Sequence, residues 1–514
     1  MLERIIQGSV RYRGLVVMST IAMAVLGIYN FGRLPIDAVP DITNVQVQVN
    51  TTAPGMSPLE VEMQVTARVE LAMGGIPGMN HMRSLSRYGL SQLTLVFDDD
   101  VDIYFARQLV GERLREASED LPSGADTPAM GPIATGLGEI YMWTVEAAPG
   151  ATRADGTPYT PTDLREVQDW IVKPQLRTVP GVTEVNSLGG FVKQYHVTPD
   201  AQKLVAHGLT FRDVLDAIAA NNANAGAGYI EHIGEQYLVR VPGIVTSMDE
   251  VERILVGVED GTPVRVGDLA TVGPGDELRT GAATENGEEV VIGTVFMLMG
   301  ENSRTVSARV AARIDQVEET LPPGITIRTV YDRTRLVNAT LHTVRENLTY
   351  GAILVIIVLF LLLGNARAAL LVALTIPLAM LFAVTGMVGN RISGNLMSLG
   401  AIDFGIIVDG AVVMTENIVR RFAGRQHELG RLLTHDERLR EAFESAREVA
   451  RPTLFGVVII MIVYLPILTL GGIEGKMFKP MALTVLLALS AALVLTFTFV
   501  PAGAALLLRG RISE

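Results

Sequence analysis

Six apolar runs, each close to the ~20 residues that cross a bilayer, constrain this chain more than any other feature. The first, Gly14–Phe31, carries no charge and follows Arg11 and Arg13. The other five crowd the end of the chain: Leu348–Leu363, Ala368–Val388, Leu396–Val419, Leu454–Leu470 and Met481–Leu508. Inside lipid a backbone must satisfy its own hydrogen bonds, so runs of this length and composition are expected to be helices. No small-residue cleavage site follows Phe31, where the chain continues "GRLPIDAVPDI", so the first run reads as a retained helix and not a signal peptide. The second and fifth runs are short and are expected to extend by a turn into their flanks. Residues 35–340 have ordinary soluble composition and form one large insertion between the first two spans, which are expected to be neighbours.

Arginine sets the orientation, because short basic loops stay in the cytoplasm. Arg420, Arg421, Arg425, Arg431, Arg438, Arg440, Arg447 and Arg451 lie between the fourth and fifth runs, and the N-terminus and the tail "RGRISE" are also basic. Six spans put all three on one side and the insertion on the other. The stretch "THDERLREAFESAREVARP", about 434–450, is either an amphipathic helix at the cytoplasmic face or a plain solvated helix. The formal net charge of -13 argues against nucleic acid, which needs a basic footprint. With no Cys, thiolate metal sites and disulfides are excluded. The seven His are scattered with no HxH or HxxxH pair, so no preformed His-rich metal site is expected.

The insertion reads as α+β. "NVQVQVNT" alternates with period two, the mark of a half-buried strand. In the helical stretch that follows, Ser57 is a candidate N-cap with Glu60 three residues on, a capping box. Two units repeat: "ERLREASEDLPSG" resembles "ARIDQVEETLPPG", and "GGIPGMNHMRSLS" resembles "RTVPGVTEVNSLG". The repeat predicts two split-βαβ subdomains, 35–137 and 138–335. The second is interrupted at about 200–275 by a helix and hairpin with the character of a docking element. Asp98, Asp99, Asp100 and Asp102 lack the glycine and terminal Glu of a calcium loop. They are read as a turn and an acidic helix N-terminus.

The chemistry concentrates in the fourth run, "MSLGAIDFGIIVDGAVVMTENIVRR", which holds Asp403, Asp409 and Glu416. A charged carboxylate at the centre of a spanning helix costs about 3 kcal/mol, and such residues are functional by default. Asp409 and Glu416, seven residues apart, fall within about 20° on one face. Asp403 lies about 120° from Asp409, and the three cover ~20 Å of depth. No central Lys or Arg occurs in the six runs, so salt bridging requires a partner outside this chain. A row of acids across the bilayer suits stepwise proton passage, each protonated for part of a cycle because an unpaired charge there is costly.

"LPIDAVPDITNVQVQVNT", "GLGEI", "QDWIVKPQLRTVPGVTEV" and "LGAIDFGIIVDGAVVMTENIVRR" resemble the heavy-metal efflux branch of the resistance–nodulation–division superfamily. The likeness runs from the first span to the sixth. The fourth-run pattern is closer to the cobalt–zinc–cadmium pumps than to the copper–silver ones, which generally carry one acid there. The resemblance implies a polytopic α-helical membrane protein of the bacterial inner membrane with a large periplasmic porter. It implies a secondary transporter, not an enzyme, that exchanges protons for divalent zinc, cobalt or cadmium and needs no cofactor. It further implies a homotrimer, a periplasmic adaptor (membrane fusion) protein and an outer-membrane channel. Family members consist of two homologous halves, and this chain matches the first; a C-terminal half would then be a further partner. Proton relay is carried over to Asp409, Asp403 and Glu416, with Asn417 following in the pattern either as part of the relay or only as a packing residue. Glu139 and Asp169 match positions that face the substrate cavity and are candidate metal ligands, or else ordinary surface and turn acids. An exporter of organic solutes and a non-transporting membrane scaffold or secretion subunit are the competing readings; the three acids count against the scaffold.

Overall fold

The computed structural model describes residues 2–37, 39–259, 261–279, 281–390, 392–395, 397–398 and 404–510. The chain opens with a short helix α1 (Leu2–Arg11), then α2 (Arg13–Phe31). Two sheets follow. The first is built from β1 (Gln46–Thr52), α3 (Pro58–Val61), α4 (Ala67–Met73), β2 (Met79–Arg87), β3 (Leu90–Phe97), α5 (Ile103–Glu119) and β4 (Ala129–Met130). Its strand order is β2-β3-β1-β4.

The second unit repeats the plan with β5 (Glu139–Ala147), α6 (Pro161–Val167), α7 (Lys173–Leu176) and β6 (Val182–Leu188). β7 (Lys193–Pro199) then leads into an interruption. The interruption holds α8 (Ala201–Ala206), α9 (Phe211–Ala220), the hairpin β8 (Ala225–His232) and β9 (Glu235–Val241), α10 (Met248–Glu252), β10 (Leu255–Glu259), β11 (Thr262–Arg265), α11 (Val266–Leu269) and β12 (Ala270–Asp276). β13 (Ala283–Glu285), β14 (Glu288–Met297), α12 (Ser303–Glu318) and β15 (Ile325–Asp332) complete the sheet. β14 lies between β5 and β6, and β15 is on the far side of β5, so the order β6-β14-β5-β15 matches the first unit.

The repeat extends to the helices. Each first helix starts at a capping box with proline just inside, Ser57/Glu60 with Pro58 and Thr160/Asp163 with Pro161. Each then passes through a π-helical turn, Glu62–Thr66 and Gln168–Val172, before the next α-helix. Asp102 caps α5 by accepting from the amides of Tyr104 and Phe105, and Asn302 does the same for α12. The interrupting element stands on a two-stranded stem, β7 antiparallel to β12. Its hairpin β8–β9 leaves Tyr229, Ile230, Ile233, Tyr237 and Leu238 exposed.

The helical part comprises α13 (Arg333–Leu363), α14 (Ala366–Gly389), α15 (Phe404–Leu429), α16 (His435–Tyr464), α17 (Gly472–Phe497) and α18 (Phe499–Leu507). Among the described residues four helices are long and apolar enough to cross a membrane: α2, α14, α16 with its 3-10 extension to Thr469, and α17. The apolar part of α13, Thr349–Leu361, is shorter, and α15 carries the acids.

The helices differ from the expected runs in instructive ways. The run at 348–363 is the end of a 31-residue helix that rises directly from β15. The stretch at 434–450 and the fifth run are one helix, because Pro452 is the sole helix breaker between them and is accommodated inside α16. The loop before it shrinks to Gly430–Thr434, since α15 continues through Arg420, Arg421 and Arg425. The first run does not find the second as its main neighbour. α2 packs on α14 and α18 instead. The approach to α14 is close: a Cβ on Gly27 would meet the Leu381 Cβ at 2.6 Å. Small residues allow this backbone proximity where lipid offers no hydrophobic drive for helix association.

Three chain segments converge where the sheets meet the bundle. Asp37, beyond α2, accepts from Arg333 Nη2 at 2.8 Å and Nε at 3.1 Å. The Asp37 amide donates to Gly394 O at 3.0 Å, and the Gly394 amide to Pro35 O at 2.8 Å. At the other edge Lys476 of α17 pairs with Asp99 at 2.6 Å and donates to Thr43 O at 2.8 Å.

Candidate functional site

α15 meets α14, α16 and α17 through Ile407, Val408, Ala411, Met414, Ile418 and Val419, all buried. Its opposite face is open. Gly405, Asp409, Val413, Glu416 and Arg420 recur at intervals of three and four and are exposed. This is the spacing of a single helical stripe. Asp409 and Glu416 therefore share one face, about 10 Å apart along the axis. Neither makes a hydrogen bond or ion pair among the described residues, and neither is buried. Arg420, one turn from Glu416, turns away and donates to Asn417 Oδ1 at 2.7 Å. Asp403 lies outside the described residues.

Asn417 faces the other way. It is buried, and its Nδ2 donates to Ser445 O at 2.9 Å and to Glu448 Oε2 at 3.4 Å. Glu448 pairs in turn with Arg421 Nε at 3.3 Å. Asn417 thus joins α15 to α16 and does not belong to the acid stripe. Its adjacency to Glu416 in sequence hides this, because neighbouring residues on a helix point about 100° apart.

Glu139 and Asp169 are not brought together. Asp169 sits in the π-helical turn, its Oδ2 2.6 Å from Arg165 Nε and its Oδ1 accepting from Ser187 Oγ at 2.5 Å. It borders a cavity of about 300 Å³ with Trp170, Lys193 and Tyr195, which Glu139 does not line. Glu139 is exposed at the start of β5, opposite Phe296, whereas Ser187 is opposite Gly293. Three residues along the strand and two strands across place Ser187 and Glu139 on the order of 14 Å apart. A shared ion, with ligands about 2 Å from it, does not reach across that gap. Among the described residues no group of three or more His, Asp or Glu could hold a metal. On the same sheet, Glu146 is held below its ordinary carboxylate value, chiefly by the hydrogen bond from Arg328.

What the sequence missed lies at the junctions. Lys476, Asp37 and Arg333 carry no chemical motif and are separated by hundreds of residues. Asp37 lies in "LPIDAVPDI", and Asp99, the partner of Lys476, in the acidic run at 98–102.

A family model described as the AcrB/AcrD/AcrF family matches residues 5–514. The cobalt-zinc-cadmium resistance protein CzcA of Cupriavidus metallidurans is 61% identical over 514 residues, covering 100% of this chain and 48% of that protein. The cation efflux system protein CusA of Escherichia coli is 35% identical over 517 residues, covering 100% of this chain and 49% of its own length. A crystal structure of a heavy metal efflux pump superposes with a TM-score of 0.85 at 35% identity, covering 98% of this chain and 48% of that one. The chain spans about half the length of the relatives it matches.

Proposed function

The chain belongs to the AcrB/AcrD/AcrF family, and from that premise we propose that it is half of a proton-driven exporter of divalent heavy-metal cations. The observation that carries the reading is a pair of carboxylates on the open face of α15, Asp409 and Glu416, which have no partner among the described residues. Unpaired charge in an apolar medium is costly, so each acid must meet a counter-charge, water or a proton there. The open stripe is the face on which a second helical half would supply that partner. The relatives' lengths support such a half.

The cargo is the zinc, cobalt and cadmium class, supported by the 61% identity to a protein named for resistance to those ions. Cations are substrates here. A transport site must release as well as bind, so a transient oxygen-rich path suits the task better than a closed cage. The layout that fits is six spans in a bacterial inner membrane, with residues 35–340 in the periplasm. A homotrimer, a periplasmic adaptor and an outer-membrane channel complete the proposed assembly, with Asp403, Asp409 and Glu416 as the proton path.

The test is transport by the full-length protein in proteoliposomes under an imposed pH gradient. Zinc, cobalt or cadmium should move against the proton flow, while a cationic organic dye should not. Movement of the dye with no movement of the metals would replace this reading with an organic-solute exporter.

A further inference from the structure

We propose that Asp37 and Arg333 form the joint through which the acid-bearing helix moves the sheet domain; this rests on the proton-driven reading above. The pair sits where three segments meet. Arg333 is the first residue of α13 and follows directly on Asp332, the last residue of β15. Its guanidinium reaches Asp37 through two nitrogens and Tyr331 Oη of β15 through the third, at 3.3 Å. One side chain therefore grips both the linker beyond α2 and the end of a sheet strand.

The linker is bound in turn to the segment leading into α15. Ile36 and Gly394 form a parallel bridge, with Asp37 N–H and Gly394 N–H each donating across it. Asn395 and Ser398, just after Gly394, are buried and bond reciprocally. Leu34, Ile36, Val337, Val384, Met387 and Ile392 pack beneath as one buried cluster. The Arg333 side chain is 7% exposed and that of Asp37 22%. A partly desolvated pair holding two nitrogens on one oxygen has a fixed geometry, so displacement of one side displaces the other.

On the sheet side the contact continues. Asp332 accepts from Ser307 Oγ of α12 at 2.7 Å while capping α13 through the Thr334 amide at 2.8 Å. α15 packs on α14, whose Val384 and Met387 belong to that buried cluster, so a shift of α15 runs through α14, Asp37 and Arg333 to β15 and α12. Coupling of this kind requires a contiguous physical chain of packed and bonded groups, which these residues provide. Asp37 and Arg333 are positioning residues: they touch neither the proton path nor the cargo.

The experiment uses the full-length pump in proteoliposomes, with zinc as cargo and a pH-sensitive dye reporting protons. Asp37→Asn keeps the shape and the backbone hydrogen bond to Gly394 O; Arg333→Gln removes the charge from the other side. Each should lower zinc moved per proton about tenfold, with the KM for zinc unchanged. The exchanged pair Asp37→Arg with Arg333→Asp should recover part of the lost ratio. An unchanged zinc-to-proton ratio in both single variants would overturn the joint. So would equal loss of both fluxes, since that marks a structural tie only. Asp409→Asn runs beside them: proton-driven transport there would remove the proton reading, whereas its loss beside normal joint variants would remove the joint alone.

Discussion

Replacing Asp169 with Asn separates a structural tie from a metal ligand. The carboxylate is 2.6 Å from Arg165 Nε, and the two side chains are 23% and 18% exposed. The pair lies between two regimes. Exposed ion pairs contribute at most about 1 kcal/mol. Removing one partner of a fully buried pair costs about 3–5 kcal/mol. Arg165 keeps its second anchor, Nη1 to Gly189 O at 2.8 Å, and Asn retains an acceptor for Ser187. The expected loss is therefore about 2 kcal/mol, intermediate between those limits. For a domain of this size that lowers the midpoint of thermal unfolding by about 4–8 °C. The chain's two tryptophans report on this unit directly. Trp143 is fully buried and donates to Gln168 in the same π-helical turn, at 2.9 Å, so its fluorescence follows the region Asp169 secures. Zinc binding by Asp169→Asn, measured by titration, should equal wild type. A wild-type unfolding curve with lost zinc binding would refute the structural assignment and make Asp169 a ligand.

Acid should weaken the sheet domain through Glu146. Its folded carboxyl titrates below the ordinary 4.5 because Arg328 donates to it, so this contribution is present above that value and lost as pH falls through the depressed one. Glu146→Gln should flatten the acid limb of an unfolding-versus-pH series, and an unaltered limb would show that the pair contributes nothing. Reporter fusions at Thr160 and Gln426 should fall on opposite sides of the membrane; both on one side would end the six-span layout.

Much of this was legible in the sequence, and for physical reasons. The capping box at Ser57 and Glu60 depends on residues three apart, so local spacing reveals it. The leucine-proline stops that end both repeats point to units that prove to share one strand order. The face shared by Asp409 and Glu416 follows from helical periodicity alone. What sequence spacing did not show depends on contacts between distant segments. The π-helical turns have no propensity signature. The fusion of 434–450 with the fifth run required knowing that Pro452 is tolerated inside α16. Asn417 followed Glu416 in the pattern, yet it bonds to Ser445 on another helix. Glu139 and Asp169 matched a family pattern one at a time, and only the strand register shows how far apart they stand.

We propose that α15 carries the proton. The most direct measurement is zinc efflux driven by an imposed pH gradient in proteoliposomes holding the full-length pump with Asp409→Asn. The substitution keeps the side chain's shape and removes only its titration. Glu416→Gln should impair transport less, since a neighbouring acid or water can bridge the gap. Proton-driven zinc movement should stop in the Asp409→Asn pump while assembly and zinc binding persist. Wild-type rates in that pump would show that α15 does not carry the proton.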